Sequence, residues 1–166
     1  MAELLYNSFM NEFFLQNSDV IIKLVLAITL GALIGLERFM VHKEAGMKTH
    51  ALVSMGAALF IIISETLAVK YGITGSFDAS RMASQIIVGI GFLGAGSIIL
   101  EGSRLKGLTT ASGFWVTAGI GMATGFGLFD LAIISTVFVL LIFIALYVLE
   151  RPLRGVLLEE GSKEDK

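Results

Sequence analysis

The sequence contains no cysteine, a single proline and few charged residues. Without cysteine, the chain can form neither disulfides nor thiolate metal sites, and it has no cysteine nucleophile. Only 16% of its 166 residues are charged, whereas an ordinary soluble domain carries about 25%. The net charge of −2 argues against nucleic-acid binding, which needs a basic surface. Apolar residues make up 55% of the chain and its mean hydropathy is +0.85, which indicates a multi-pass membrane protein.

Lysine and arginine are also absent from residues 1–18, so this segment lacks the basic start of a cleavable signal peptide. Its apolar residues Leu4, Leu5, Phe9 and Phe13 lie near helical spacing. This spacing predicts a short interfacial helix, with a frayed tail as the alternative.

Five apolar stretches are of the length that crosses a bilayer as a helix. They cover about residues 19–36, 49–69, 81–100, 111–128 and 130–149. Pro152 is expected to end the last of them, because proline interrupts helical hydrogen bonding. The predicted fold is an all-α membrane domain of five transmembrane helices at 19–150, followed by a short tail at 151–166.

The basic residues predict the orientation of these helices, because lysine and arginine concentrate on the cytoplasmic side of a membrane. With the N-terminus outside, nine basic residues lie on the cytoplasmic side and only Lys70 and Arg81 lie on the other. The nine are Arg38, Lys43, Lys48, Arg104, Lys106, Arg151, Arg154, Lys163 and Lys166. We therefore predict an external N-terminus and a cytoplasmic C-terminus.

The segment from Gly89 to Gly94 matches the dinucleotide-binding pattern GxGxxG letter for letter. That pattern binds a nucleotide only where a strand precedes it and a helix opens at it. Here it lies inside an apolar run of bilayer-spanning length. We interpret these glycines as helix-packing residues.

Small residues allow membrane helices to approach closely. We predict helix contacts at Gly31, Gly35, Gly89, Gly91, Gly94, Gly96, Gly121 and Gly125. A period of 3.6 residues places Arg81, Gln85, Gly89, Phe92 and Gly96 on one face of the third span, which we expect to face protein. The opposite face, with Ile86, Ile90 and Leu93, is expected to face lipid. The glycine-free fifth span is expected at the periphery, with spans one, three and four packed together.

The fourth span carries a similar stripe at Gly113, Thr117, Gly121 and Thr124. Two such stripes can pack directly, or they can line a narrow polar crevice. The sequence leaves both arrangements open.

Polar residues in or beside a membrane are costly and are therefore functional candidates. The candidates are Glu37, Arg38, Thr49, His50, Asp78, Arg81, Gln85, Thr109, Thr110 and Trp115. Structural alternatives exist, namely a surface ion pair for Glu37–Arg38, helix caps for Asp78, Thr109 and Thr110, and a hydrogen-bonded edge position for His50. Asp78 and Glu65 offer the oxygen ligands that Mg²⁺ prefers, and no other cofactor is predicted. No catalytic motif is present, so we do not expect an enzyme.

Four segments together resemble the MgtC/SapB family of bacterial inner-membrane proteins. They are GALIGLER at 31–38, AGMKTHALVSMGAALF at 45–60, DASRMASQIIVGIGFLGAG at 78–96 and KGLTTASGFW at 106–115. The family usually has Arg-Thr-His where this chain has Lys48-Thr49-His50, and it often has proline at the position of Ala79. Many members also carry a soluble C-terminal domain, which this sequence does not contain.

The resemblance implies a five-span membrane domain associated with growth at low magnesium and, in pathogens, with survival inside host cells. It also implies that some members act on other membrane machines, including ATP synthase. Our first hypothesis is a regulator or adaptor that contacts other membrane proteins through its helices and forms a homo-oligomer, with a dimer favoured. The alternative is a small transporter or channel for Mg²⁺ or another solute, running along spans three and four between Asp78/Arg81/Gln85 and Glu37/Arg38/His50.

Overall fold

The protein is almost entirely helical in the computed structural model, which describes residues 1–71 and 79–164. The elements, in chain order, are α1 (Ala2–Gln16), α2 (Ser18–Met40), α3 (Met47–Lys70), α4 (Ala79–Gly96), β1 (Ile99–Glu101), β2 (Arg104–Lys106), α5 (Leu108–Gly125) and α6 (Phe129–Glu164). The five predicted spans correspond to α2 through α6 in order. The predicted tail or interfacial helix at 1–18 contains the helix α1.

Within residues 1–71 and 79–164, three segments are long and apolar enough to cross a membrane: Ser18–Met40, Met47–Lys70 and Phe129–Leu149. The apolar part of α4, Arg81–Gly96, is shorter. These helices support a multi-pass membrane protein. The number of crossings and the external N-terminus stay predictions.

Helix α3 packs between α2 and α5, and α5 contacts each of α2, α3, α4 and α6. A Cβ placed on Gly31 of α2 would lie 2.5 Å from the His50 carbonyl oxygen of α3, and one on Gly125 of α5 would lie 2.8 Å from that of Ala58. Side chains of any size are therefore excluded at both contacts. The prediction that spans one, three and four pack together agrees with the contacts of α5 with α2 and α4, but it left out α3, which packs against both α2 and α5. Most of α6 up to Leu149 is exposed, as expected of a peripheral helix.

Helix α4 is turned opposite to the predicted orientation. Ile86 and Ile90 are buried in a core cluster with residues of α3 and α5, whereas Phe92 is 81% exposed. Gln85 and Gly89 are exposed as well. The physical reason is that lipid tails are as apolar as isoleucine, so an isoleucine face gains as much from close packing inside the protein as from lipid.

A two-stranded antiparallel hairpin joins α4 to α5 and was not part of the predicted all-α fold. Helix α4 ends at Gly96, so the expected span to residue 100 was too long. Glycines occupy the turns on either side of β2, since Gly102 and Gly107 adopt positive φ of 62° and 90°. Gly107 is also the N-cap of α5, with no side-chain cap hydrogen bond. Thr109 and Thr110 thus lie inside the first turn of α5 and do not cap it.

Helix α6 continues through Pro152 to Glu164, so the expectation that this proline ends the last helix was wrong. A proline inside a helix removes one backbone hydrogen bond and can be accommodated by a local bend. The segment 151–164, predicted as a tail, is therefore an extension of α6.

Candidate functional site

A buried ion pair occupies the last turn of α2. Arg38 and Glu37 are only 4% and 8% exposed, and Arg38 Nη1 lies 3.5 Å from Glu37 Oε2. The guanidinium also lies over the ring of Phe143 in α6, 4.5 Å from its centroid. The carboxylate, the aromatic face and the negative end of the α2 dipole all favour a cation at this position. The pair is therefore internal, not the surface pair of the structural alternative.

His50 lies beside this pair, in the first turn of α3, and is 1% exposed. Its Nδ1 lies 3.0 Å from the carbonyl oxygen of Gly46. Since a carbonyl can only accept, Nδ1 carries the proton and Nε2 is left as an acceptor. The imidazole packs against Phe114 of α5 at a centroid distance of 5.2 Å.

Gly113 makes room for the imidazole. A Cβ at this position would lie 3.3 Å from His50 Nε2 and 3.6 Å from Cζ of Phe143. The glycine thus lies between the histidine and the phenylalanine that covers Arg38. Helices α2, α3, α5 and α6 each contribute to this site, which we call the Arg38 cluster: Glu37, Arg38, His50, Gly113, Phe114 and Phe143.

Four buried side-chain atoms in and beside the Arg38 cluster have no hydrogen-bond partner among the described residues. They are Arg38 Nη2, His50 Nε2, Ser54 Oγ and Thr117 Oγ1. Ser54 lies one turn along α3 from His50, and Thr117 lies one turn along α5 from Gly113. The set therefore extends from the Arg38 cluster into the α3–α5 interface. It combines donors and acceptors, which is the chemistry that binds ordered water or a small polar solute.

The α3–α5 interface is closed beyond these atoms. A Cβ on Gly121 would overlap the Ser54 carbonyl oxygen, and one on Gly125 would lie 2.8 Å from Cβ of Ile61. Thr124 donates its hydroxyl hydrogen to Ile120 O at 2.8 Å, within its own helix. The stripe of the fourth span therefore packs directly against α3. It does not meet the stripe of the third span, because Gln85 and Gly89 of α4 are exposed.

The other predicted candidates among the described residues do not join this cluster. Arg81, Gln85, Thr49 and Thr109 are exposed, and Trp115 is 57% exposed. Thr110 is half-buried. Of the predicted candidates that the structure describes, only Glu37, Arg38 and His50 come together.

Ser54 and Phe143 are members of the site region that sequence reasoning missed. Ser54 could have been found, because it lies four residues after His50 and so shares its helix face. Phe143 lies in a continuous apolar run, where no local signal separates it from its neighbours.

The metal candidate Glu65 contacts a cation. Its Oε2 lies 3.8 Å from Lys23 Nζ, and the same lysine pairs with Asp19 at 3.0 Å. Asp78 lies outside the described residues. Within residues 1–71 and 79–164, no group of three or more potential metal ligands occurs.

An apolar groove lies between α3 and α4, with a volume of about 700 Å³. Its α3 wall is formed by Lys48, Thr49, Leu52, Val53, Gly56, Ala57 and Phe60, and its α4 wall by Met82, Gln85, Ile86, Gly89, Ile90 and Leu93. A Cβ on Gly56 or Gly89 would meet nothing within 4 Å. These two glycines therefore border open space, in contrast to those that contact α3 from α2 and α5.

The predicted packing glycines fall into two groups. Those in contact with another element of the chain are Gly31, Gly35, Gly94, Gly121 and Gly125. Those at which an added Cβ would meet nothing within 4 Å are Gly89, Gly91 and Gly96, all in α4. Helix contacts at this second group, if formed, involve a molecule other than this protomer.

Residues 24–152 match the MgtC family. YhiD of Escherichia coli (strain K12), described as a candidate magnesium transporter, is 42% identical over 134 residues, which cover 76% of this chain and 60% of YhiD. Protein MgtC of Brucella abortus (strain 2308) is 44% identical, over 79% of this chain and 51% of that protein. Protein MgtC of Salmonella typhimurium (strain LT2) is 46% identical, over 72% and 49%.

The chain spans about half to three-fifths of the length of these relatives. No solved structure matches it. The matched residues contain the α2 ion pair, the α3 histidine and the glycine-rich α4 and α5. The resemblance seen in the sequence is confirmed, and the chain belongs to the MgtC family.

Proposed function

We propose that this chain is a non-enzymatic protein of the bacterial inner membrane that regulates other membrane proteins in magnesium and stress homeostasis. It acts through helix–helix contact. Membership of the MgtC family supports the setting. The orientation of α4 is the observation that supports action through helix–helix contact, because α4 buries its isoleucines and exposes its small and polar residues.

The proposed contact surface is the arc of α4 formed by Ser84, Gly91 and Ala95. All three residues are exposed. A Cβ on Gly91 would meet nothing within 4 Å, so a neighbouring backbone can approach closely here. In lipid, the hydrophobic effect does not drive helices together, because lipid tails are as apolar as the helices. Helices associate there through close packing and interhelical hydrogen bonds.

The closed α3–α5 interface supports a regulator over a solute path. A path along this interface would need to pass Gly121 and Gly125, where atoms of α3 leave no room for a methyl group. The path expected along spans three and four would need Arg81 and Gln85 to face α5, whereas both are exposed. The unpaired atoms near Arg38 are buried, and the α3–α5 packing closes the described bundle beyond them.

Substitution of Gly91 tests this function. In a bacterial strain deleted for its own MgtC-family gene, we expect Gly91→Leu to reduce growth at low magnesium at least tenfold relative to the unchanged protein. A photo-reactive residue at position 91 should cross-link the same membrane protein that the wild-type chain contacts. Gly119→Leu is the matched control, since a Cβ at Gly119 also meets nothing within 4 Å but lies on α5.

Magnesium transport is the second candidate, favoured by the four unpaired buried polar atoms and by the description of the relative YhiD. Purified protein in proteoliposomes distinguishes the two. We expect no Mg²⁺ flux above that of empty liposomes. Flux that Gln85→Leu abolishes, together with normal growth of the Gly91→Leu strain, would replace the regulator proposal with transport.

A further inference from the structure

The α3–α4 groove is a lateral opening in the side of the bundle. It is about 700 Å³ in volume and runs from Lys48 to Phe60 on α3 and from Met82 to Leu93 on α4, or about 17 Å at a rise of about 1.5 Å per residue. Gly56 and Gly89 line it from opposite helices, and no atom lies within 4 Å of a Cβ on either. A side chain from outside the protomer can therefore enter between the two helices.

Gln85 places an amide on the wall of this groove. It is exposed and makes no hydrogen bond with the residues that the structure describes. Gly94, nine residues later, packs against Ala111 near the hairpin, so Gln85 lies about 13 Å further along α4. Arg81 lies one turn beyond Gln85, so Gln85 is inside the apolar part of α4, toward its N-terminal end. An amide that faces hydrocarbon there gains from a polar partner on another protein chain.

Phe92 supplies a projecting side chain next to the groove. It is 81% exposed, and on a helix of 3.6 residues per turn it shares an arc of α4 with Gln85 and Gly89. The projecting Phe92 ring, the glycine-lined α3–α4 groove and the exposed Gln85 amide thus lie side by side along α4. Such a surface is self-complementary about a two-fold axis, because each copy has both a projecting side chain and a groove that can receive one.

We propose that two copies of this chain form a two-fold dimer through α4. An axis parallel to α4 brings the Gln85 amides of the two copies together, where each amide can donate to the other. It also places Phe92 of each copy in the groove of its partner, where Leu52, Val53 and Leu93 form the walls. This contact uses the groove side of α4 and leaves the arc of Ser84, Gly91 and Ala95 free, so it does not depend on the proposed regulatory function.

The absence of native cysteine makes cross-linking a direct test. In membranes under mild oxidation, Phe92→Cys in one tagged copy should cross-link to Leu52→Cys in a differently tagged copy, with Gln85 intact. Gln85→Cys should cross-link to itself, since a residue on a two-fold axis meets its own counterpart. We expect at least tenfold more cross-linked dimer at these positions than for Trp115→Cys, which is exposed on α5.

A second measurement removes the dependence on cysteine. In lipid nanodiscs, Gly89→Leu fills the groove and Gln85→Leu removes the amide, and we expect each to shift the protein from dimer to monomer. Gly119→Leu should leave the dimer unchanged. A wild-type monomer with lipid acyl chains in the groove, or equal cross-linking at positions 85 and 115, would overturn the proposal.

Discussion

At the scale of single residues, the glycines of this chain have two different environments, close contact with another helix or open space. Gly31, Gly35, Gly121 and Gly125 bring α2 and α5 against the backbone of α3. Gly91, by contrast, faces open space. The sequence shows the same small-residue spacing in each case, because periodicity reports which residues share a face but not what that face meets.

This difference predicts opposite effects of the same substitution. Gly121→Ala should lower the free energy of unfolding by about 1–3 kcal/mol, because the new methyl group overlaps the Ser54 carbonyl oxygen. Gly119→Ala should raise it by up to about 1 kcal/mol, because alanine favours a helix and nothing lies within 4 Å. Thermal unfolding in detergent measures both, and equal effects of the two would contradict the α3–α5 packing.

At the scale of elements, the hairpin between α4 and α5 shows how a turn residue can also be a packing residue. Gly102 and Gly107 both need positive φ, which disfavours any L-residue with a side chain. Only Gly107 is also crowded, since a Cβ there would overlap the Ser97 carbonyl oxygen at the end of α4. The two glycines could be predicted as turns, whereas the crowding depends on how α4 ends.

We therefore expect Gly107→Ala to be much more destabilising than Gly102→Ala. The positive φ alone costs about 1 kcal/mol at either position. The overlap at Gly107 adds about 1–3 kcal/mol, because backbone atoms cannot move aside as a flexible side chain can. Denaturation in micelles gives the comparison, and similar losses for the two variants would show that the hairpin does not pack against the end of α4 in this way.

At the scale of the whole molecule, the basic residues mark one end of the bundle. The end of α2 and the starts of α3 and α5 meet around the Arg38 cluster. Basic residues lie at or beside each of these helix ends, namely Arg38, Lys48, and Arg104 and Lys106 of the hairpin. Lys70 and Tyr71 end α3 at the other side of the bundle. This distribution predicts that the Arg38 end faces the cytoplasm.

Single cysteines test this orientation. A membrane-impermeant maleimide applied to intact cells should label Tyr71→Cys, which is exposed at the end of α3. It should label Ser103→Cys in the hairpin turn only after the cells are lysed. The reverse pattern would place the N-terminus in the cytoplasm.

The sequence by itself determined the membrane class, the family, the approximate helices and the turn glycines. These follow from composition, from apolar length and from local spacing, which are properties of neighbouring residues. Glu37, Arg38 and His50 could be named as candidates for the same reason, because charge inside an apolar chain is conspicuous wherever it occurs.

Only the tertiary structure decided that α3 packs between α2 and α5, that α4 buries its isoleucines, and that Phe143 covers Arg38 from more than a hundred residues away. In water, burial of apolar surface would select the face of a helix that turns inward. In lipid, either face of α4 can contact the acyl chains, so close contacts between distant segments determine which face is buried in the protein. Those contacts leave Gln85, Gly89 and Phe92 turned outward, where we propose that a second copy meets them.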